Sequence, residues 1–289
     1  MYTIENEVLK VTVHPLGAEL QSIFNKQTGI EYLWNGDPKF WAKRSPVLFP
    51  IVGTLRNNSY LFHDFSYALG RHGFAREKVF SLVEEGPHAL SFELKDDPET
   101  LKLYPFQFSL VIRYLVEGNK LQVSLSVKNT GSRPMYFSIG SHPAFRLPLV
   151  ESLEYADYYL MFNKIEKAGR WPINNAGLLE GAPSLVLNET SKLPLEKSLF
   201  YNDALVFKHL RSDEVTLRSD KNPHGLDFHF PGFPFLGIWA AKDADFVCIE
   251  PWCGVTDAAD SNQLLTDKEG MNYLGAGQVF ERSWSVSTW

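Results

Sequence analysis

Residues 121–130, LQVSLSVKNT, alternate strictly: Leu121, Val123, Leu125 and Val127 fall on one side, Gln122, Ser124, Ser126 and Lys128 on the other. Successive side chains of a pleated strand point to opposite faces, so the pattern describes a strand with one face on a core and one in water. The preceding run, FQFSLVIRYLV, joins it across Glu117-Gly118-Asn119-Lys120, which reads as a hairpin turn. Similar short strands read at ALSFELK, EVTLRSD and QVFERSWSVSTW. No window sustains an apolar stripe of helical period over three or four turns. Aromatic residues make up 14% of the chain, and they suit half-buried pleated surfaces. Many such strands, separated by Pro, Gly and Asn turns, predict an all-β protein, a large antiparallel β-sandwich with few short helices. With 44% hydrophobic residues and no stretch resembling a linker, residues 1–289 are expected to form a single domain. Residues 164–197 are turn-prone and read as an ordered loop excursion over the sandwich.

Charge narrows the partners. A formal net charge of -6 with no basic run argues against nucleic acid, whose binding needs clustered Lys and Arg. The start, MYTIENEVLKVTV, has neither a basic nor an apolar leader segment, and apolar runs fall short of the ~20 residues that cross a bilayer. A soluble, cytoplasmic protein without membrane contact is expected, monomeric or homodimeric. Cys248 and Cys253 flank Pro251 without a CxxC pair, so reduced thiols and no structural metal are expected. No dinucleotide loop, nucleophile elbow, HExxH or Walker loop occurs.

The stretch FVCIEPWCGVTD, residues 246–257, places Glu250 after four apolar residues and before a proline that cannot extend a hydrogen-bond ladder. Glu250 is therefore expected where a core strand ends. A carboxylate there needs a partner or a purpose, since burying it unpaired is costly; the segment alone fits a structural salt bridge as well as a catalytic role. His72 lies in a loop among Arg71, Gly73 and Arg76, and His142 follows a strand and precedes Pro143. Opening a pyranose ring needs a base and an acid, a task to which Glu and His can be tuned. Trp34, Trp41, Trp239 and Trp252 offer flat apolar faces for a sugar's C–H surface.

Several motifs in order carry a resemblance: VTVHPLGAELQSI, RSPVLFPIVGTLRNN, RHGFAR, SHPAFRLP, NDALVF and CIEPW. Over essentially its whole length the chain resembles the aldose 1-epimerases of the galactose mutarotase-like superfamily. The likeness is greatest to the bacterial galactose mutarotase-related branch linked to lactose operons. The resemblance implies the supersandwich fold of that superfamily. It implies Glu250 as the base at the anomeric hydroxyl, His142 as the acid at the ring oxygen and His72 as a second histidine that orients the sugar. It assigns Arg56 to the ring-oxygen side and Asp203 to a substrate hydroxyl; from their aromatic faces, Trp239 and Trp252 are expected as further sugar contacts. The implied partner is a small-molecule hexose, and the implied reaction, mutarotation, needs no cofactor.

RHGFAR also resembles the hexose-6-phosphate mutarotases, which makes Arg44 and Arg76 candidate phosphate ligands or, equally, loop-bracing residues. Three readings stay open: an epimerase of a free hexose, the same chemistry on a hexose 6-phosphate, or a catalytically weak sugar-binding protein of the same fold. Asp203 and Glu250 would in principle also serve a glycosidase.

Overall fold

A computed structural model describes all residues, 1–289. Two antiparallel sheets face each other. In spatial order the larger, nine-stranded sheet consists of Ser184–Pro194, Tyr158–Arg170, Glu214–Ser219, Gly225–His229, Val279–Thr288, Lys120–Asn129, Phe108–Glu117, Ala89–Lys95 and Ser81–Glu85. The hairpin read from the alternating pattern pairs Glu117 with Lys120 and continues in register to Phe108 and Asn129. The second, six-stranded sheet orders Leu205–Lys208, Phe235–Trp239, Phe246–Cys253, Ile139–Ser141 and Val47–Leu48, with Ala144–Arg146 also paired to Phe246–Cys253. A four-stranded N-terminal sheet and two small ribbons complete the strands, and the one α-helix has six residues, Pro98–Leu103. The expected all-β sandwich is observed.

Aromatic pairs join the sheets: Phe145 with Phe228 and Phe162 with Phe207, at centroid distances of 5.7 and 6.4 Å. The indole N–H of Trp284 crosses between the layers to the Ser141 hydroxyl at 2.8 Å, so a buried polar atom is satisfied where the core closes. This core is a contiguous cluster of 70 buried residues. A second cluster of eight, among them Leu48, Val206, Phe235 and Trp252, lies apart from it. The strand Phe246–Cys253 is accordingly buried throughout, which explains why its apolar run is continuous rather than alternating.

Two expectations are corrected here. Much of residues 164–197 is not loop: Tyr158–Arg170 and Ser184–Pro194 pair as the edge of the large sheet. Their register shifts between Met161 and Glu166, again at Lys167 and again before Gly169, and each shift breaks the period-two pattern that would have revealed them. Only the segment between these strands crosses the smaller sheet, pinned where the Trp171 N–H donates to the Val206 carbonyl at 3.0 Å. Nor does the strand end at Glu250; it runs on to Cys253. Ile249 donates its N–H to the Pro143 carbonyl at 3.2 Å, and donors on one edge of an antiparallel strand recur at every second residue. The next donor on that edge would come from Pro251, which has none, beside the point where the neighbouring chain bends at His142 and Pro143.

Candidate active site

Register brings the acid and the base together. Ile139 and Gly140 pair with Cys253 and Trp252, while Ala144 and Phe145 pair with Cys248 and Val247. Both ladders keep one register, so His142, in the bend between them, stands directly across from Glu250. His142 Nε2 lies 3.2 Å from Glu250 Oε2, with both side chains buried. Opposed residues on neighbouring strands interact as a unit, and a rigid ladder fixes their spacing better than a loop does.

The same pleat directs Cys248, Glu250 and Trp252 to one side of their strand. Trp252 fits between its neighbours because they carry glycine: a Cβ on Gly237 would meet the Trp252 ring at 2.5 Å, and one on Gly140 would meet it at 2.6 Å. Gly237→Ala is therefore expected to displace the indole and destabilise the fold by about 1–3 kcal/mol, the usual cost of overpacking. Urea unfolding checks the stability, and quenching of tryptophan fluorescence by sugar checks the pocket.

A cavity of about 330 Å³ opens over this pair. Around the His142 ring, Trp41 stacks at 4.8 Å while Trp239 and His72 meet it edge-on at 5.5 and 5.8 Å. His72 and Gly73 both have positive φ, 67° and 69°, and a Cβ on Gly73 would meet the Phe49 carbonyl oxygen at 2.3 Å. His72 Nδ1 accepts from the Gly53 N–H at 3.1 Å, and its own N–H donates to the Gly53 carbonyl at 2.8 Å. The first of these bonds requires an unprotonated Nδ1, so the neutral ring carries its proton on Nε2. Arg71 Nε stands 3.3 Å from that nitrogen, and in this tautomer the two make no hydrogen bond to each other because both carry a proton. Asp203, at φ 70°, accepts its neighbour Ala204's N–H at 2.7 Å and faces Arg71 at 3.9 Å.

Burial drives the electrostatics. Glu250 is raised well above the ordinary carboxylate range, chiefly by desolvation; Arg71 opposes that shift, and Asp203 adds to it. His142 is lowered to about 3, first by desolvation, with Arg71 and Arg76 acting the same way. His72 is lowered well below its usual value by burial, then by His142 and the two arginines. His142 Nδ1 and Trp252 Nε1 are buried without a hydrogen-bond partner in the chain.

A histidine held neutral in the fold contributes stability in full above its unfolded value near pH 6.5, and that contribution drains away as pH falls towards its folded value. Wild-type unfolding free energy is thus expected to fall by up to about 1.4 kcal/mol per pH unit for each buried histidine below about pH 6.5. Replacing His72 by Asn should flatten this limb, as read from urea midpoints between pH 7 and 4.

Among the residues expected at the site, the cavity is lined by Glu250, His142, His72, Asp203, Arg76, Trp239 and Trp252. Two arginines do not line it. Arg56 turns its guanidinium to the Ser261 carbonyl at 2.7 Å, while its backbone N–H donates to Asp257, itself held by the buried Lys268 at 2.7 Å. Arg44 donates to the Gln21 carbonyl at 2.6 Å, and its backbone N–H to Glu19. Both are loop braces. Arg71, which the sequence marks only as a neighbour of His72, is the arginine that reaches Asp203 and His72. Trp34 lies beneath the site, donating its indole N–H to the Trp41 carbonyl. Gly177 and Thr256 also line the cavity and carried no sequence signal.

His142, Cys248 and Glu250 bring one donor atom each within 4.8 Å of one another. A metal ion there would take over the acid and base themselves, and burial holds the Cys248 thiol protonated.

The β-sandwich and the buried Glu/His pair under a tryptophan-walled cavity point to the sugar epimerases as the class of protein to compare, and comparison with known proteins gives the family. Residues 1–271 match the profile of the Aldose 1-epimerase family. The chromosomal Protein LacX of Lactococcus lactis subsp. lactis is 37% identical over 98% of this chain and 98% of its own. A galactose mutarotase related enzyme from Lactobacillus acidophilus superposes with a TM-score of 0.95 at 36% identity, covering 100% of this chain and 97% of that one. A galactose mutarotase-like protein from Lactobacillus casei gives 0.94 at 31% identity, with 100% of both chains covered. The chain belongs to the aldose 1-epimerase family. No helix in it is long and apolar enough to cross a membrane.

Proposed function

We propose that the protein, acting as one catalytic unit over its whole length, is an aldose 1-epimerase that interconverts the α and β anomers of a free hexose. The observation that carries this reading is the buried 3.2 Å contact between His142 and Glu250 at the floor of the cavity. Burial raises Glu250 and lowers His142, which draws the two affinities for a proton towards and past each other, and at 3.2 Å one proton passes directly between them. Such a proton belongs to the pair rather than to either residue. In the productive arrangement Glu250 is the carboxylate and His142 the imidazolium, which carries the same net charge as the neutral arrangement.

Glu250 takes the proton of the C1 hydroxyl as the C1–O5 bond breaks, and His142 gives its proton to O5. The open aldehyde rotates about C1–C2. On reclosure the imidazole accepts the O5 proton while the Glu250 carboxylic acid returns its own to the oxygen on C1. No atom is lost and no electron is transferred. The neutral Nε2–H of His72 and the Arg71 guanidinium orient the ring, Asp203 accepts from a hydroxyl, and Trp41, Trp239 and Trp252 meet the C–H faces.

Galactose and glucose are the leading substrates, a choice supported by the galactose mutarotase relatives. A hexose 6-phosphate fits less well. Arg44 is turned away, and Arg76 is engaged with the Arg71 carbonyl at 3.0 Å and with Glu77 at 3.5 Å. Polarimetry of freshly dissolved galactose, glucose and glucose 6-phosphate tests the assignment. Acceleration of the free hexoses supports it, acceleration of the phosphate ester alone transfers the activity to that substrate, and binding without acceleration reduces the protein to a sugar sensor.

A further inference from the structure

Lys268 and Asp257 form an ion pair at 2.7 Å with side chains only 3% and 4% exposed, and neither residue lines the cavity. Taking two charges out of water costs about as much as their attraction returns, and packed apolar residues often stabilise a fold as well or better. What such a pair adds is a fixed geometry, and its contacts show where that geometry is used.

The Lys268 ammonium donates to the Val255 carbonyl at 2.6 Å as well as to Asp257 Oδ1. Asp257 Oδ2 accepts the Arg56 backbone N–H at 3.0 Å, and the Asp257 N–H donates to the Thr54 carbonyl at 2.9 Å. The Thr256 hydroxyl accepts the Thr54 N–H at 2.9 Å and has the Gly177 carbonyl as its nearest acceptor, at 2.6 Å. Residues 255–257 therefore hold residues 54–56 from behind. The Thr54 N–H and the Gly53 carbonyl belong to one planar peptide group, so fixing its nitrogen on Thr256 also fixes its oxygen. That oxygen takes the His72 N–H at 2.8 Å, and the Gly53 N–H reaches His72 Nδ1 at 3.1 Å.

Two donors compete for the His72 ring: the Gly53 N–H at Nδ1, and Arg71 Nε at 3.3 Å from Nε2. A neutral imidazole has one N–H and one lone-pair nitrogen, so it accepts from one of them only. With Gly53 held in place, Nε2 keeps the proton and offers it to the cavity. Were Gly53 to withdraw, the proton would move to Nδ1 and Nε2 would accept from Arg71, tying up both groups that orient the sugar.

We infer that Lys268 is a positioning residue: through Asp257 it holds Gly53 against His72 and so selects the tautomer whose Nε2–H meets the substrate. The kinetic consequence rests on the epimerase reading; the tautomer itself is read without turnover.

The test is Lys268→Met/Asp257→Asn, which exchanges the pair for uncharged side chains of similar size and keeps an acceptor for the Arg56 N–H. Nitrogen NMR of the histidine side chains, with the His72 signals identified by their loss in His72→Asn, reports the tautomer, and polarimetry of galactose and glucose reports the rate. Wild type should show His72 Nδ1 unprotonated and Nε2 protonated, and the double variant should shift both signals towards the opposite tautomer. Its kcat/KM should fall about three- to tenfold, the range that one net hydrogen bond supplies, with no further fall when the same changes are made in His72→Asn. Asp257→Asn alone is the milder change on the same path, and it should move the signals less but in the same direction, which decides the matter should the double variant not fold. Unchanged His72 signals in a folded variant overturn the inference, whatever the rate. A rate loss that multiplies with that of His72→Asn also overturns it, because Lys268 then acts elsewhere. Absence of any acceleration by wild type would sink the epimerase reading, and the nitrogen signals would still show whether Lys268 sets the tautomer.

Discussion

Glu250→Gln is expected to leave a folded, sugar-binding protein whose anomer exchange is about 10²–10⁴-fold slower, the range general acid–base groups contribute. Glutamine keeps the shape of the buried side chain but takes no proton from the C1 hydroxyl. The same variant should be more stable than wild type, and increasingly so with rising pH. The sign follows from the raised pKa of Glu250. A carboxyl group favoured in its protonated form by the fold contributes its stability in full below its unfolded value, and that contribution is lost as pH rises through the folded value. Glutamine never ionises, so its advantage grows as pH rises from the ordinary carboxylate range towards the raised folded value, and levels off beyond it. Thermal unfolding at several pH values reads this directly. Loss of rate together with a pH-dependent stability gain separates a catalytic carboxylate from a structural salt bridge, whose removal would only destabilise.

His142→Asn should slow exchange by a similar factor, about 10²–10⁴-fold, because O5 then leaves as an unprotonated alkoxide. The histidine is confined by Trp41 on one face and Trp239 and His72 on its edges, so no water replaces it as a ready acid. The Glu250→Gln/His142→Asn double variant is expected to fall only marginally below the slower single variant. Residues that pass one proton back and forth act as a unit, and their effects do not add. A multiplicative loss in the double variant would mean that the two side chains work on separate steps. Stopped-flow polarimetry of the three variants under one set of conditions decides it.

The strands were legible wherever one face meets the core and the other meets water, as at residues 121–130, because burial then imprints a period of two on the sequence. The bulged pair Tyr158–Arg170 and Ser184–Pro194 was not legible, since each register shift resets the alternation. Nor was the true extent of Phe246–Cys253: Pro251 reads as a terminator, and only the bend at His142 shows how a missing rung is accommodated. At the site, Glu250, His142 and His72 could be named from the resemblance, but their meeting depends on a shared register that no single segment contains. The arginines were the hardest to place. A long flexible side chain goes where a carbonyl or carboxylate waits, and for Arg56 and Arg44 these are Ser261 and Gln21, outside the cavity. Arg71 was adjacent to His72 in the sequence all along, yet only the fold sets it opposite Asp203.

The central claim is that the buried Glu250–His142 pair opens a hexose ring. Magnetisation transfer between the α and β anomeric protons of galactose and glucose, at low buffer concentration with wild type and Glu250→Gln, tests it most directly. The account predicts exchange that rises in proportion to wild-type concentration and stays at the buffer rate with the variant. Exchange at the buffer rate with wild type, or equal acceleration by the variant, would contradict it.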